Sequence, residues 1–245
     1  MDYDFKRDLS WLLLRPWILL PRIIQIIFSL SSLVISLLIQ GSSKNSEIQQ
    51  KLAQKIFNTL KNLGPCFIKV GQALSTRPDL VRKDWLEELT KLQDNLPPFD
   101  HNEALKILDK ELGSTHEEIF EYFPNKPCAS ASLGQVYKAR LNKKYFVAVK
   151  IQRPNLTFII RRDIVIIKIL GILSSPILPL NLGIGLGEII DEFGKSLFEE
   201  IDYEKEAKNA KKFAKLFVDN PNVTVPEVED KFSTKIILTT SWIDG

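Results

Sequence analysis

The chain has 245 residues, of which 44% are hydrophobic, so it is long and apolar enough to fold as one large or two small domains, and disorder throughout is excluded. Its 33 basic and 30 acidic side chains leave a formal charge of +3, which is not the concentrated positive field that nucleic-acid binding requires. The two cysteines, Cys66 and Cys128, have neither metal-site spacing nor the density of a disulfide scaffold. We therefore expect a reduced, intracellular setting and no nucleic-acid partner.

An uncharged run from Ile23 to Ile39 predicts one apolar helix near the N-terminus. At about 1.5 Å per residue the run spans roughly 25 Å, slightly less than the ~30 Å hydrocarbon core of a bilayer. The polar residues around this run recur at steps of three or four and form one narrow stripe, namely Arg22, Gln25, Ser29, Ser32, Ser36 and Gln40. Such a helix can lie on a bilayer, span it with the stripe against protein, or be buried in a core.

Membrane contact is the favoured hypothesis for this helix. A signal peptide is less attractive, because the opening MDYDFKRDLS carries more acid than base and no small-residue cleavage site follows the apolar run. Residues 1–45 are therefore predicted to be a membrane-associating segment on the intracellular side.

The next segment, residues 46–125, is predicted to be all-helical. Apolar residues at helical spacing indicate a helix from Glu47 to Leu63, which ends at Gly64 and Pro65. Proline breaks separate three further predicted helices, at Cys66 to Ser75, Lys83 to Leu92 and Asn102 to Glu111. The two histidines, His101 and His116, are predicted to be solvated residues on helix surfaces, and no metal site is predicted.

Residues 126–245 change in character. Two strand-like runs, Gly134 to Leu141 and Tyr145 to Ile151, are joined by a turn at residues 142–144 and predict a hairpin. Helical patterns follow at Asp163 to Leu173 and Gly187 to Phe217. A last strand pair is expected at Val223 to Val228 and Lys235 to Trp242.

Small residues lead into the first strand of the hairpin, and a lysine lies near the end of the second. The small-residue segment is Ala129, Ser130, Ala131, Ser132, Leu133, Gly134, Gln135 and Val136, and the lysine is Lys150, which follows Val147, Ala148 and Val149. Small side chains let backbone N–H groups approach phosphates, and a lysine on the neighbouring strand can reach the same phosphates, as in kinase-like folds. Either piece alone can be an ordinary turn or an edge strand with an extended lysine. Together they favour a kinase-like nucleotide site.

A phosphate-binding lysine needs a carboxylate to hold its ammonium group. The acidic segment from Phe198 to Glu206 offers several, and Glu206 is the candidate. Glu199, Asp202 and Glu206 recur at steps of three and four, so the pattern alone equally fits a charged, solvated helix face.

At this point the sequence resembles a known family. Lys69-Val70-Gly71-Gln72 within FIKVGQALSTRPDL matches the KxGQ motif of the UbiB (aarF-domain, ABC1-type) atypical kinases. The Ala/Ser loop, the VAVK lysine, Glu200-Ile201-Asp202 and the WIDG ending follow in that family's order, over about residues 46–245.

The resemblance implies an α+β fold, in which a kinase-like N-terminal lobe with a small antiparallel sheet carries an all-helical KxGQ extension and the apolar helix. It implies that residues 126–245 bind ATP through Ala129 to Val136, Ala148 and Lys150, and that Glu206 pairs with Lys150. Trp242 and Ile243, after Thr240 and Ser241, would approach the adenine. Lys69 and Gln72 would cover the nucleotide, anchored by Glu200 and Asp202.

The resemblance also implies a link to isoprenoid-quinone or prenyl-lipid metabolism at a membrane, with proteins of that metabolism as partners. Two departures are noted: Ser130 replaces the family's usual alanine, and the sequence contains neither a catalytic-loop Asp nor a DFG metal ligand. The Mg²⁺ expected with ATP in the intact fold therefore lacks its ligands here. We expect negligible phosphoryl transfer by this chain alone, with the C-terminal lobe absent unless a separate chain supplies it. The alternative is a non-catalytic lipid- or quinone-binding scaffold with a vestigial nucleotide pocket.

Overall fold

The computed structural model describes residues 3–94, 96–142, 145–175 and 185–244. In these ranges it contains helices, a short 3₁₀ turn at Asp230–Phe232 and one antiparallel sheet. The helices are α1 (Phe5–Leu13), α2 (Pro16–Gln40), α3 (Ser46–Leu63), α4 (Pro65–Ser75), α5 (Lys83–Asp94), α6 (His101–Leu112), α7 (His116–Ile119), α8 (Leu156–Ser174), α9 (Leu186–Glu200) and α10 (Tyr203–Leu216). The strands are β1 (Ala129–Ser130), β2 (Gly134–Asn142), β3 (Tyr145–Gln152) and β4 (Ile237–Ser241), in the spatial order β1-β2-β3-β4.

The chain divides into two compact units. One contains Pro97–Leu156 and the residues from Ser196 onward, and the other contains the residues up to Leu96 together with Thr157–Lys195. Both units are discontinuous in sequence, so they divide the chain differently from the three segments predicted by sequence, which remain a prediction.

The sheet unit is built around the predicted hairpin. Strands β2 and β3 pair with Val136 opposite Lys150, and the turn at residues 143–144 lies outside the described residues. One face of the sheet forms a buried core with α6 and Phe120, made of Ala104, Leu108, Phe120, Tyr137, Ala139, Val147, Val149, Ile151 and Ile237. The other face is covered by α10, where Tyr203 and Ala207 pack against Leu238. Alternating apolar residues in β3 explain this arrangement, because successive side chains point to opposite faces.

The last predicted strand pair is only half present. Ile237–Ser241 forms β4 beside β3, as the apolar run predicts. The prediction of a strand at Val223 to Val228 is wrong, since that segment makes a single bridge, between Val228 and Thr240. Pro221 precedes this segment and Pro226 lies within it, and neither has an N–H to donate to a neighbouring strand. This accounts for the absence of a regular strand here.

The two histidines are at helix ends but only partly exposed, so the prediction that they are solvated holds in part. Nδ1 of His101 lies 3.2 Å from the hydroxyl of Tyr137, and Nδ1 of His116 lies 3.0 Å from Oδ1 of Asp109. Both side chains are partly buried at the first residue of a helix. The partner of each histidine, Tyr137 or Asp109, belongs to a different element from the histidine itself.

The helical unit contains α2, which is longer than the uncharged run predicts. The helix includes Pro16 in its first turn, where no N–H is needed, and continues through Pro21 at the loss of one hydrogen bond. Its 25 residues span about 37 Å, enough to cross a hydrocarbon core. Among the described residues, α2 is the helix that is long and apolar enough to do so.

Helix α2 packs on one side only. Leu19, Arg22, Ile26 and Leu33 are buried, while most of its large apolar side chains are exposed. The exposed residues include Trp17, Leu20, Ile24, Ile27, Phe28, Val34, Ile35, Leu38 and Ile39. Lys55 of α3 donates to the carbonyl of Ser32 and to the hydroxyl of Ser36, so part of the predicted polar stripe faces protein. A fully buried core helix is therefore not what the structure shows.

Candidate functional site

The Ala/Ser loop is a tight turn between two antiparallel strands. Ala129 pairs with Val136, and the N–H of Ala131 donates to the carbonyl of Gly134 at 2.8 Å. Ser132 and Leu133 form the tip of this turn and are buried, with 2% and 5% of their surface exposed. Within the described part of the chain their N–H groups have no hydrogen-bond acceptor. Successive N–H groups free at a turn are the usual means by which a loop binds an anion.

Gly134 allows the loop to lie close to the rest of the unit. A Cβ added at this position would lie 2.6 Å from the carbonyl oxygen of Ile151 and 2.7 Å from the hydroxyl oxygen of Tyr203. Both distances are shorter than any real Cβ contact, so a side chain here would displace the loop from β3. The glycine is thus explained by close approach of the backbone.

The structure brings Lys150 and Glu206 together. The ammonium nitrogen of Lys150 lies 2.9 and 2.8 Å from the two carboxylate oxygens of Glu206, and 4.5 Å from the ring centre of Tyr203. The lysine and glutamate side chains are 33% and 42% exposed, so solvent or a ligand can reach the pair. Val136, the last residue of the small-residue segment, lies directly opposite Lys150 on β2. The roles assigned to these residues remain predictions.

The side chain of Gln135 is turned into the core, whereas Ala148 lies on the same face of β3 as Lys150. Gln135 is completely buried, and its side chain accepts from the N–H of Phe99 and donates to the hydroxyl of Tyr137. Ala148 lies in β3 between Lys138 of β2 and Thr240 of β4.

The residues predicted to approach adenine follow β4 directly. The N–H of Trp242 donates to the carbonyl of Phe146 at 2.9 Å, which extends the sheet by one residue. The ammonium of Lys138 lies 4.3 Å from a Trp242 ring centre, and the indole N–H donates to Asp244. Ile243 is 39% exposed. An aromatic side chain therefore lies at the edge of the sheet, with a cation over its ring.

The acidic segment is not one helix, which corrects the pattern of carboxylates on a single face. Helix α9 ends at Glu200, and α10 begins at Tyr203 with Asp202 as its N-cap, whose carboxylate accepts from the N–H of Lys205 at 3.0 Å. Glu199 and Glu206 consequently belong to different helices. The amide of Gln152 donates to the carbonyl of Ile201 at 2.8 Å and fixes this break against β3.

The KxGQ residues lie on α4 in the helical unit, where packing explains two of them. A Cβ at Gly71 would lie 2.3 Å from Leu92 and 2.9 Å from Leu60, so only glycine lets α3, α4 and α5 pack this closely. The amide of Gln72 donates to the carbonyl of Leu92 near the end of α5. Lys69 is partly buried. The predicted gate of Lys69 and Gln72 with Glu200 and Asp202 remains a prediction.

Two residues of this region were not identified from the sequence. Tyr203 supports the ammonium of Lys150 and touches Gly134, and its hydroxyl is buried without a hydrogen-bond partner among the described residues. Gln152 holds the break between α9 and α10. The signal available for Gln152 is a polar residue at a buried strand position, whereas nothing in the sequence marks Tyr203.

Comparison with known proteins gives a consistent result. Residues 91–245 match the model of the ABC1 atypical kinase-like domain. An uncharacterized protein of Synechocystis is 45% identical over 94% of this chain and 41% of its own length. The protein named ACTIVITY OF BC1 COMPLEX KINASE 1, chloroplastic, of Arabidopsis thaliana is 41% identical over 82% of this chain and 30% of its own length.

A solved structure also matches. The structure of Rv3197 from Mycobacterium tuberculosis in complex with erythromycin has a TM-score of 0.51 and 34% identity, and covers 81% of this chain and 50% of that chain. This chain thus spans half or less of the length of the relatives described here.

Proposed function

Since the chain belongs to the ABC1 atypical kinase-like family, we propose that its sheet unit binds ATP through the Ala/Ser loop and Lys150. The observation that carries the proposal is the ion pair between Lys150 and both carboxylate oxygens of Glu206. A lysine held in this way, one strand away from a loop of small residues, is the arrangement with which kinase-like folds bind nucleotide phosphates.

The remaining contacts belong to the same proposal. The N–H groups of Ser132 and Leu133 have no acceptor among the described residues and would donate to phosphate oxygens once these buried residues are uncovered. Lys150 would contribute its charge from the neighbouring strand. Trp242 and Ile243, after the end of β4, would contact the base. Lys69 and Gln72 would close the site, with Glu200 and Asp202 as their anchor.

Magnesium ordinarily accompanies ATP, held by phosphates and carboxylates. Among the described residues no three potential ligands converge on one point. We assign no metal ligand.

The ATP proposal is tested by measuring ATP affinity for the full chain and for Lys150→Ala. The expected loss is at least about tenfold, because a charge-assisted contact to phosphate is removed. Lys212→Ala is the matched control, since Lys212 is an exposed lysine of α10 without an ion pair among the described residues. Equal affinity of the wild type and Lys150→Ala would contradict the proposed pocket.

We further propose that the exposed face of α2 binds a membrane, where the protein serves isoprenoid-quinone or prenyl-lipid metabolism. A continuous apolar surface of this kind is rare on proteins that remain in water. Chloroplastic relatives in Arabidopsis are consistent with association with an organelle.

Vesicle flotation tests the membrane contact. Replacing Ile24, Phe28 and Leu38 of α2 with glutamine should abolish flotation with lipid vesicles while leaving the fold intact, because all three side chains are exposed. The matched control replaces Leu216 and Val218, which are equally exposed and lie outside α2, and should still float. Flotation of both variants would refute this surface.

The exposed face of α2 also favours a second candidate, a scaffold that binds lipid or quinone without using ATP. The solved relative is a complex with a small molecule, erythromycin. Binding of a prenyl quinone by this chain, unaffected by Lys150→Ala and without measurable ATP affinity, would favour this candidate over the first.

A further inference from the structure

Arg153 lies immediately after β3 and contacts the Ala/Ser loop on several sides. Its backbone N–H donates to the carbonyl of Leu133 at 2.9 Å. Its side chain donates from Nε to the carbonyl of Ala131 at 3.1 Å, and from Nη2 to the hydroxyl of Ser130 at 3.3 Å and the carbonyl of Pro97 at 2.8 Å. One residue therefore binds three loop residues and the segment before α6.

The hydrogen-bond acceptors of the Arg153 side chain are all neutral groups. Among the described residues no carboxylate contacts its guanidinium, and burial lowers the pKa of this group. An arginine remains protonated at neutral pH even so. A partly buried cation without a counter-ion is stabilised by dipoles that point their negative ends toward it, and the loop carbonyls supply these dipoles. The positive charge of the guanidinium therefore favours a loop conformation in which the carbonyls point toward Arg153.

Ser130 takes part in the same contact. Its hydroxyl accepts from Arg153, so this side chain is turned toward the arginine. The distance of 3.3 Å is at the long end for a hydrogen bond, and its contribution is correspondingly modest. Serine at this position accordingly adds a fourth contact to Arg153, which alanine could not make.

We propose that Arg153 is the positioning residue of the nucleotide-binding loop, which it holds through Ser130, Ala131 and Leu133 in the shape that accepts phosphates. By fixing the carbonyls of Ala131 and Leu133 on one side, it keeps the N–H groups of Ser132 and Leu133, which are buried residues, free of hydrogen bonds to other described residues. Small residues give the loop much conformational freedom, and a loop ordered before binding loses less entropy when ATP arrives. The role in binding rests on the proposed ATP site, whereas the restraint on the loop does not.

The restraint is measured by amide hydrogen exchange of the unliganded full chain. Arg153→Ala should exchange at residues 130–134 about tenfold faster or more, since two or three hydrogen bonds are lost. Residues 147–151 of β3 should exchange as in the wild type, which excludes general unfolding as the cause. Unchanged exchange at the loop would overturn the proposal.

The consequence for binding is measured by ATP affinity of the same variants. Arg153→Ala should weaken ATP binding about tenfold and Arg153→Lys less, because lysine keeps the charge but cannot reach three acceptors in a fork. Ser130→Ala should weaken binding about twofold in the wild type and have no effect in Arg153→Ala, as expected when one contact links the two residues. Faster loop exchange with unchanged ATP affinity would overturn the positioning role.

Failure of the ATP site itself gives a different result. A wild type that binds no ATP refutes the proposed function, and Arg153 is then judged by exchange alone. Faster exchange in Arg153→Ala would support its restraint of the loop, and equal exchange would refute it.

Discussion

The carboxylate of Asp163, which is completely buried in α8, accepts two hydrogen bonds from the guanidinium of Arg22 in α2, at 3.0 and 2.6 Å. The two residues are 141 positions apart in the chain. The same guanidinium donates to the carbonyl of Leu63 at the end of α3. Asp163 also receives Nε of Arg162 at 2.8 Å. The buried guanidinium of Arg22 thus fixes the apolar helix to two other helices of the helical unit, α8 and α3.

Replacing Asp163 with leucine should destabilise the helical unit by about 3–5 kcal/mol, because Arg22 is left buried without its counter-ion. The double variant Arg22→Leu with Asp163→Leu should lose less than the single variant, since no uncompensated charge remains on Arg22. Urea unfolding in mild detergent measures both. The exposed pair of Glu47 and Lys51 provides the control, whose removal should change the unfolding midpoint very little.

A double variant that is less stable than Asp163→Leu would contradict this account. It would mean that Arg22 contributes through its contacts with Leu63 and Gln25 rather than through Asp163.

Gly71→Ala tests whether packing explains the glycine of the KxGQ motif. The added methyl would overlap the side chains of Leu92 and Leu60, so one or both must move, at a cost of about 1–3 kcal/mol. The better helix propensity of alanine offsets up to about 1 kcal/mol of this. Gly187→Ala in α9 is the control, because a Cβ there meets neighbours at ordinary contact distances. Thermal unfolding should show Gly71→Ala less stable than wild type and Gly187→Ala at least as stable.

Local patterns predicted most of the longer elements of this chain, but neither α1 nor α7. Apolar periodicity gave the helices at α3 to α6, because each has an exposed and a buried side and its residues sort by sequence spacing. The hairpin was predictable from two apolar runs around a short polar turn. The break at Ile201 and Asp202 was missed, since the surrounding residues all favour helix and the hydrogen bond that fixes the break comes from Gln152, far away in sequence.

The candidate site was predictable only in part. Lys150 and Glu206 were paired on the resemblance, and the structure places them in contact. The sequence did not show on which face of the sheet the side chain of Gln135 lies. Strand alternation assigns a residue to a face only when the face that forms the core is already known. Arg153 was missed for a related reason, as all of its side-chain acceptors belong to segments that are distant in the chain.

Tyr145 should confer a pH dependence on the sheet unit in the alkaline range. Its hydroxyl donates to the carboxylate of Glu229, and this hydrogen bond raises the pKa of Tyr145 from 10 to about 12. The folded state therefore favours the protonated phenol. The stabilisation is complete below pH 10, where both states are protonated, and is lost as the pH rises from 10 through about 12.

Spectrophotometric titration of the phenols checks this prediction. The difference between wild type and Tyr145→Phe should show one group that ionises near pH 12. The difference in their unfolding midpoints should shrink between pH 10 and pH 12. A difference titration centred on pH 10 would show that the bond to Glu229 does not form in solution.

Two substitutions of Tyr203 separate the contribution of its ring to ATP binding from that of its hydroxyl. The ring lies beneath the ammonium of Lys150, while the buried hydroxyl has no partner among the described residues. An unsatisfied buried hydroxyl costs about 1–3 kcal/mol, so Tyr203→Phe should leave the free energy of unfolding unchanged or raise it. It should also leave ATP affinity unchanged. Tyr203→Leu removes the aromatic face and should weaken ATP binding several-fold, because Lys150 loses a cation–π contact that fixes its position.

The unfolding and ATP measurements on both variants decide what Tyr203 does. If Tyr203→Phe weakens ATP binding as much as Tyr203→Leu, the hydroxyl itself contacts the nucleotide, and the lysine is not positioned by the ring. If neither variant affects binding while both fold, the ammonium of Lys150 is held by Glu206 alone. We expect the Tyr203→Phe variant to bind ATP as tightly as the wild type and the Tyr203→Leu variant to bind it more weakly. This result requires that the flat face of the aromatic ring at position 203 orients Lys150 toward the Ala/Ser loop, which leads into β2.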